Sequence, residues 1–162
     1  GLTSGVSAVA LSGAVGSVCA IVSGAVKCWG YNDYGTIGDN TTTPKAVPTQ
    51  VSGLTSGFVQ VAFGKHHVCA LKSDSTIYCW GYNQFGQLGN GTYVNATTPV
   101  QVTGLPGGAT ISAIGAHFQA SMALTSTGDI YTWGLDLAKQ SIALHPTEHG
   151  LQLTPRLMEN WH

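Results

Sequence analysis

Charge is what this 162-residue sequence has least of: Asp, Glu, Lys and Arg together make 8% of it, where about 25% is usual. The six Lys and Arg residues are scattered from Lys27 to Arg156 and form no stripe, so no nucleic-acid partner is expected. Seven Asp and Glu residues are too few to converge on a catalytic channel, which ranks a carbohydrate-active enzyme last among the candidate functions. No apolar run reaches the length that crosses a bilayer, so no membrane span is expected. Nucleophile elbow, P-loop and helically spaced carboxylates are all missing, and the glycines lie in strand-to-strand turns that do not cradle phosphate. An initiator Met and a signal peptide are also missing. The chain is therefore expected to be a mature product or a portion of a longer polypeptide. So little charge leaves a surface poorly protected against association unless glycans or neighbouring subunits cover it. That composition suits an extracellular or cell-surface protein better than a cytosolic enzyme.

What is present is repetition. Gly13, Gly64 and Gly115 stand 51 residues apart, and Trp29, Trp80 and Trp133 follow at 51 and 53. Pro48, Pro99 and Pro155 recur at 51 and 56. The units are 1–52, 53–103 and 104–162, and a period near 50 residues marks a propeller or solenoid. Alternating runs at 6–11, 58–63 and 109–114 read as strands. Hairpins follow at 18–22 with 25–29, 68–72 with 76–80, and 120–124 with 130–133, then Gly- and Thr-rich loops and a fourth short strand such as Val100–Val102. Four strands per unit match one blade. The expected fold is all-β: three tandem four-stranded blades of propeller type, as part of a propeller or as an open blade array. Ala138–Leu144 could form one or two helical turns before Pro146 stops them.

The order G-x-x-H-x-x-A-L, turn, W-G-x-N-x-x-G-x-L-G resembles the regulator of chromosome condensation repeat. Unit two carries it in Gly64, His67, Ala70, Leu71, Trp80, Gly81, Asn83, Gly86, Leu88 and Gly89. Unit one keeps Trp29, Gly30, Asn32, Gly35, Ile37 and Gly38, with Ser17 or Val18 in the histidine's place. Unit three keeps Gly115, Ala123, Leu124, Trp133 and Gly134, and then LDLAKQSIAL replaces the glycine loop. The resemblance, to a bacterial or secreted-like, disulfide-bearing variant of the family, implies seven-bladed propeller architecture. It is weak for function, because the family includes exchange factors, protein inhibitors, a photoreceptor and many secreted proteins. A histidine in the slot of His67 belongs to the repeat and caps or bridges strands. The recurring tryptophans are read as packing between blades.

Cys19 and Cys28 fall on the two arms of one hairpin, Cys69 and Cys79 on the arms of the next. Facing positions on antiparallel strands bring Cβ atoms within about 4.5–5.5 Å, close enough for a disulfide after small adjustment. Unit three has Met122 and Thr132 at the matching places, so the pair is lost together, as a bonded pair predicts. Buried free thiols are the alternative, and zinc is disfavoured by the long spacing. Disulfides argue for an oxidising compartment. Sequons begin at Asn40, Asn90 and Asn95; all three are expected on exposed loops, Asn40 and Asn90 at matching positions, and glycosylated where the host has the machinery.

His66, His67 and His117 lie near the repeat starts, and their structural role outweighs a catalytic or metal-binding one. His145 and His149 have i, i+4 spacing, but Pro146 argues against the helix that a shared metal would need. No enzyme activity, metal or cofactor is expected. The leading reading is a secreted structural or protein-interaction module, a subunit of a larger extracellular assembly or filament. Three units are too few to close a ring, so its partners are other copies of itself or the rest of a longer chain, and beyond them another protein or a glycan. The runner-up is a specific protein binder or inhibitor using one loop face, with Tyr31, Tyr34, Tyr82, Phe85 and Tyr93 as contacts.

Overall fold

Short runs of β-branched and aromatic residues, each cut by a polar turn, fold into three antiparallel sheets. The computed structural model describes residues 2, 4–12, 16–135 and 151–157, the last stretch as backbone only. The first sheet has the order β1 (Val6–Leu11), β2 (Val18–Val22), β3 (Ala25–Gly30) and β4 (Lys45–Gln50). The second runs β5 (Phe58–Phe63), β6 (His67–Lys72), β7 (Ile77–Gly81) and β8 (Ala96–Gln101). In the third, β9 (Ile111–His117), β10 (Ala120–Thr125), β11 (Ile130–Leu135) and β12 (Leu151–Leu157) follow the same order. Each is a meander of neighbouring strands, the plan of a propeller blade, and no helix occurs among the described residues. The stretch Ala138–Leu144, with His145, Glu148 and His149, lies outside them.

The fourth strands are longer and start earlier than their sequences suggest. Lys45–Gln50 and Ala96–Gln101 contain Pro48 and Pro99. A proline cannot donate to a ladder, and the outermost strand of a blade is where that defect is tolerated.

Both faces of a middle strand are apolar, because each looks at a different neighbour. On β6, Val68 and Ala70 join Phe58, Val61 and Trp80 against Cys19, Ile21, Val26, Cys28, Ile37 and Val51 of the first blade. Cys69 and Leu71, on the alternate face, pack with Ile77, Cys79 and Leu88 against Ile111, Ile114, Ala123 and Trp133 of the third. The period of two along a strand thus builds two seams from one sheet. The inner strands β1, β5 and β9 also touch in succession, so the blades fan about a common axis.

The registers place Cys19 opposite Cys28 and Cys69 opposite Cys79. Both pairs are disulfide-bonded with Cα atoms 4.1 Å apart, and no described cysteine is free. Met122 stands opposite Thr132 in the third blade, at the same register. Each disulfide sits on the face covered by the next blade, whereas Met122 is exposed.

Candidate functional site

Two kinds of loop meet at one end of the blades: the link between first and second strands, and the long link between third and fourth. The long links carry little regular structure, yet a buried asparagine holds each of them. Asn32 Nδ2 donates to the carbonyls of Thr41 and Thr43, both at 3.0 Å, and its Oδ1 accepts from Ile37 N at 2.8 Å. Asn83 repeats this, donating to Thr92 O and Val94 O and accepting from Leu88 N. Both side chains are fully buried, where an unpaired amide would be costly and a fully paired one fixes the loop. Sequence reading assigned these asparagines to the repeat without a role; their place three residues after Trp29 and Trp80 was the available signal.

On this fixed frame the aromatic residues gather into a rim. The Tyr34 ring lies 4.8 Å from the His66 ring and 4.9 Å from that of Tyr82, and Phe85 extends the row at 6.1 Å from Tyr82. Tyr31 is exposed and donates its hydroxyl proton to Asp33. Beside His66 in the chain, Lys65 Nζ sits 4.9 Å above the Phe118 ring. Three of the five aromatic candidates, Tyr34, Tyr82 and Phe85, therefore share this row, while Tyr31 and Tyr93 are exposed elsewhere on the long links. His66 is the member that sequence reading left out, because His67 held the motif position beside it. Burial between the tyrosines lowers its pKa, the Lys65 charge adds to this, and Asp33 opposes it. It is therefore mostly neutral at pH 7.

His67 goes inward. Its Nε2 lies 2.8 Å from Ser121 Oγ, which donates to Gln87 O at 2.8 Å. The serine proton is committed to that carbonyl, so Ser121 accepts from His67 Nε2–H. Both side chains are fully buried. A serine that gives its proton away from the histidine, with no access to solvent, is not an activated nucleophile. The pair is a strut between blades two and three. Ser17 takes the corresponding slot in blade one and donates to Tyr31 O. His117 stacks on Phe118 at 6.4 Å. No group of three potential metal ligands occurs among the described residues.

The motif glycines and tryptophans form joints between blades. Trp80 Nε1 donates to Thr36 O and Trp133 Nε1 to Gln87 O, each at 2.9 Å. Each indole thus enters the long loop of the preceding blade, beneath Gly38 or Gly89. A Cβ on Gly38 would stand 2.8 Å from Trp80 Nε1, and one on Gly89 2.7 Å from Trp133 Nε1. Gly30, Gly81 and Gly134 have φ of 108°, 105° and 94°, and a Cβ on any of them would strike a backbone carbonyl. Gly64 lies under the His67 ring. Trp80 and Trp133 are buried; Trp29, read as another packing tryptophan, is only half-buried. No described blade precedes its own. We expect Gly38→Ala to cost about 2–3 kcal/mol, combining a left-handed backbone with overpacking against the indole. Urea unfolding checks this, and a loss within about 0.5 kcal/mol, the range of neutral surface changes, would show that the joint yields.

The sequons are set one residue out of step. Asn90 Oδ1 accepts from Thr92 N and Oγ1, as Asp39 Oδ1 does from Thr41. Asn90 therefore matches Asp39, while Asn40 (φ 66°) matches Gly91 (φ 79°). Asn40 and Asn95 are exposed and Asn90 is half-buried.

Comparison with known proteins gives a consistent picture. The family model "Regulator of chromosome condensation (RCC1) repeat" matches residues 23–71 and 74–124, and a second model of that description matches 58–87. The sequence is 31% identical over 113 residues to the ultraviolet-B receptor UVR8 of Arabidopsis thaliana, covering 69% of this chain and 26% of that protein. It is 32% identical over 120 residues to the protein RCC2 homolog of Xenopus laevis, covering 73% and 23%. The fold superposes on Prp20p of Saccharomyces cerevisiae with a TM-score of 0.75 at 25% identity, over 96% of this chain and 39% of that one. The chain thus spans about a quarter of the length of these two curated relatives.

Proposed function

The chain belongs to the regulator of chromosome condensation repeat family, and on that premise we propose that it is a protein-interaction module that grips a partner with its aromatic rim. The observation that carries this reading is the row Tyr34, His66, Tyr82 and Phe85 on loops fixed by Asn32 and Asn83. Rigid aromatic side chains on an ordered frame lose little entropy on binding and bury much area. Prp20p has binding properties to Gsp1p and histones, which makes a protein the favoured class of partner. The two buried disulfides and the exposed sequon residues Asn40 and Asn95 favour work outside the cell, as a glycoprotein.

A second reading concerns assembly. The outer faces of the first and third blades carry exposed apolar residues, among them Val9 and Met122. Further blades would cover them, supplied by copies of this chain or by the rest of a longer one, up to a ring or a filament.

The rim is tested by capturing partners from the protein's own extracellular medium with the wild type and with a Tyr34→Ala/Tyr82→Ala variant. One defined protein, held by the wild type and bound roughly thirtyfold more weakly by the variant, is the expected result. Equal retention by both, with the variant's unfolding curve unchanged, would remove the rim from the binding surface.

A further inference from the structure

Blades one and two close the same turn with different residues, and the difference creates a reactive pair. In blade one the turn reads Asp39-Asn40-Thr41, in blade two Asn90-Gly91-Thr92. The middle residue takes a left-handed backbone, with φ of 66° at Asn40 and 79° at Gly91. Glycine meets that demand without a steric cost, but it leaves an asparagine followed by a residue with no side chain. Of the chain's asparagines, only Asn90 is so placed. Gly91 is exposed, and a Cβ built on it would meet nothing within 4 Å.

The fold adds what the dipeptide alone does not have. Three donors converge on Asn90 Oδ1: Thr92 Oγ1 at 2.9 Å, Thr92 N at 3.2 Å and Asn83 Nδ2 at 3.4 Å. Thr92 Oγ1 itself accepts from Asn83 Nδ2 and Val94 N, which leaves its own proton to Asn90. Donors gathered on a carbonyl oxygen polarise the carbon and stabilise the negative charge that attack places on that oxygen. Asn83 is buried and fixed by its bonds to Thr92 O and Val94 O, so the donor set is ordered beforehand.

We propose that Asn90 is a self-modification site, at which the folded turn promotes conversion of the asparagine to aspartate. The Gly91 nitrogen loses its proton to solvent base and bonds to Cγ of Asn90, and charge collects on Oδ1 under the three donors. The Cγ–Nδ2 bond then breaks, Nδ2 leaves with a proton as ammonia, and a five-membered succinimide is closed. Water adds to either ring carbonyl and a ring C–N bond breaks, giving aspartate or its isomer linked through the side-chain carbon. In sum, an amide and water become a carboxylate and ammonium, with nothing oxidised or reduced.

Blade one shows that the aspartate fits. Asp39 Oδ1 accepts from Thr41 N at 3.1 Å and from Thr41 Oγ1 at 2.7 Å. Its other oxygen pairs with Lys45 Nζ at 2.9 Å, whereas Ala96 holds the register position of Lys45 in blade two. The product therefore adds an unpaired negative charge to a surface poor in charge. The reaction also consumes the nitrogen that a glycan would need, which sets Asn90 apart from the sequons at Asn40 and Asn95.

The test uses protein from a host that does not glycosylate it, incubated in mildly alkaline buffer, with the peptide of residues 82–95 read by mass spectrometry. Wild type, Thr92→Ser and Thr92→Val are compared, each folded and each unfolded in urea. Thr92 is exposed, so both variants keep the fold. Folded wild type and Thr92→Ser are expected to convert at Asn90, and folded Thr92→Val roughly tenfold more slowly, the worth of one hydrogen bond. In urea the three are expected to convert alike, because the donors are then dispersed. A folded wild type that stays intact while the unfolded chain converts would show that the turn protects Asn90, and would overturn the proposal. Folded Thr92→Val keeping pace with wild type would overturn it too, as would a glycan on Asn90 in protein from its natural source.

Discussion

Trp80→Ala is expected to cost about 3–5 kcal/mol of stability, the range for removing a large buried aromatic side chain. Trp80 is fully buried in the seam between the first two blades, and its Nε1 satisfies Thr36 O across that seam. Truncation leaves a cavity lined by Val51 and the Gly38 backbone, and strands a buried carbonyl. Trp29→Ala makes the same chemical change at the same point of the repeat. With its indole half-exposed and unbonded, it is expected to cost about 1 kcal/mol or less. Urea unfolding followed by both fluorescence and far-ultraviolet circular dichroism measures the pair. Equal losses would show that the first seam contributes no more than an open face does, and the account of the joints would fail.

The contrast between these two tryptophans marks the limit of what the sequence discloses. The repeat was legible because identical joints demand identical residues: an indole, then a glycine nine positions on. From this the three blades, their hairpins and the pairing of cysteines followed by counting. Burial was not legible for Trp29, since it depends on a neighbour and not on the unit itself. The same holds for Met122 and Leu124, whose counterparts Cys69 and Leu71 are covered by the third blade. The fourth strands were foreseen but drawn too short, because a proline beside Thr-rich sequence resembles a loop, and only the edge position makes a strand tolerable there.

The rim was half legible. Tyr34, Tyr82 and Phe85 were named as aromatic candidates for a binding face, but what orders them was missed. Asn32 and Asn83 act through backbone carbonyls nine and eleven residues away, and carbonyls leave no mark in a sequence. His66 was passed over for a different reason. Motif reading weighs His67, which fills the repeat's histidine slot, whereas the loop turns the neighbouring side chain toward Tyr34 and Tyr82. The shift of Asn40 against Asn90 has a local cause: Asp39 takes the capping role, and the residue after it must adopt a left-handed backbone, which Asn and Gly both tolerate.

Lowering the pH from 6.5 is expected to weaken the fold well before its carboxylates are protonated, through His67. Burial pushes the pKa of this imidazole from its ordinary 6.5 down to about 3, with the neighbouring His66 adding a smaller effect. The geometry agrees, since Nε2–H is given to Ser121 and Nδ1 faces no partner among the described residues. A proton on Nδ1 would bury a charge with no acceptor. Between about pH 6.5 and 3 the unfolded chain therefore binds a proton that the folded chain refuses. The folded state is favoured fully above 6.5 and progressively less as the pH falls through that window. At about 1.4 kcal/mol for each pH unit between the two pKa values, the total is on the order of 5 kcal/mol. Asp39 and Asp74 have lowered pKa values, so what they contribute is lost only below the ordinary carboxylate range. That leaves the interval from about pH 6.5 to 4.5 to the histidines. His66, also lowered, adds a slope of the same sign, and His66→Gln removes it separately. Denaturant unfolding across this interval is expected to show a steep loss in the wild type and in His66→Gln. His67→Gln is expected to begin less stable at pH 7 and to change little on acidification. Parallel curves for wild type and His67→Gln would mean that the strut between the second and third blades is not what acid attacks.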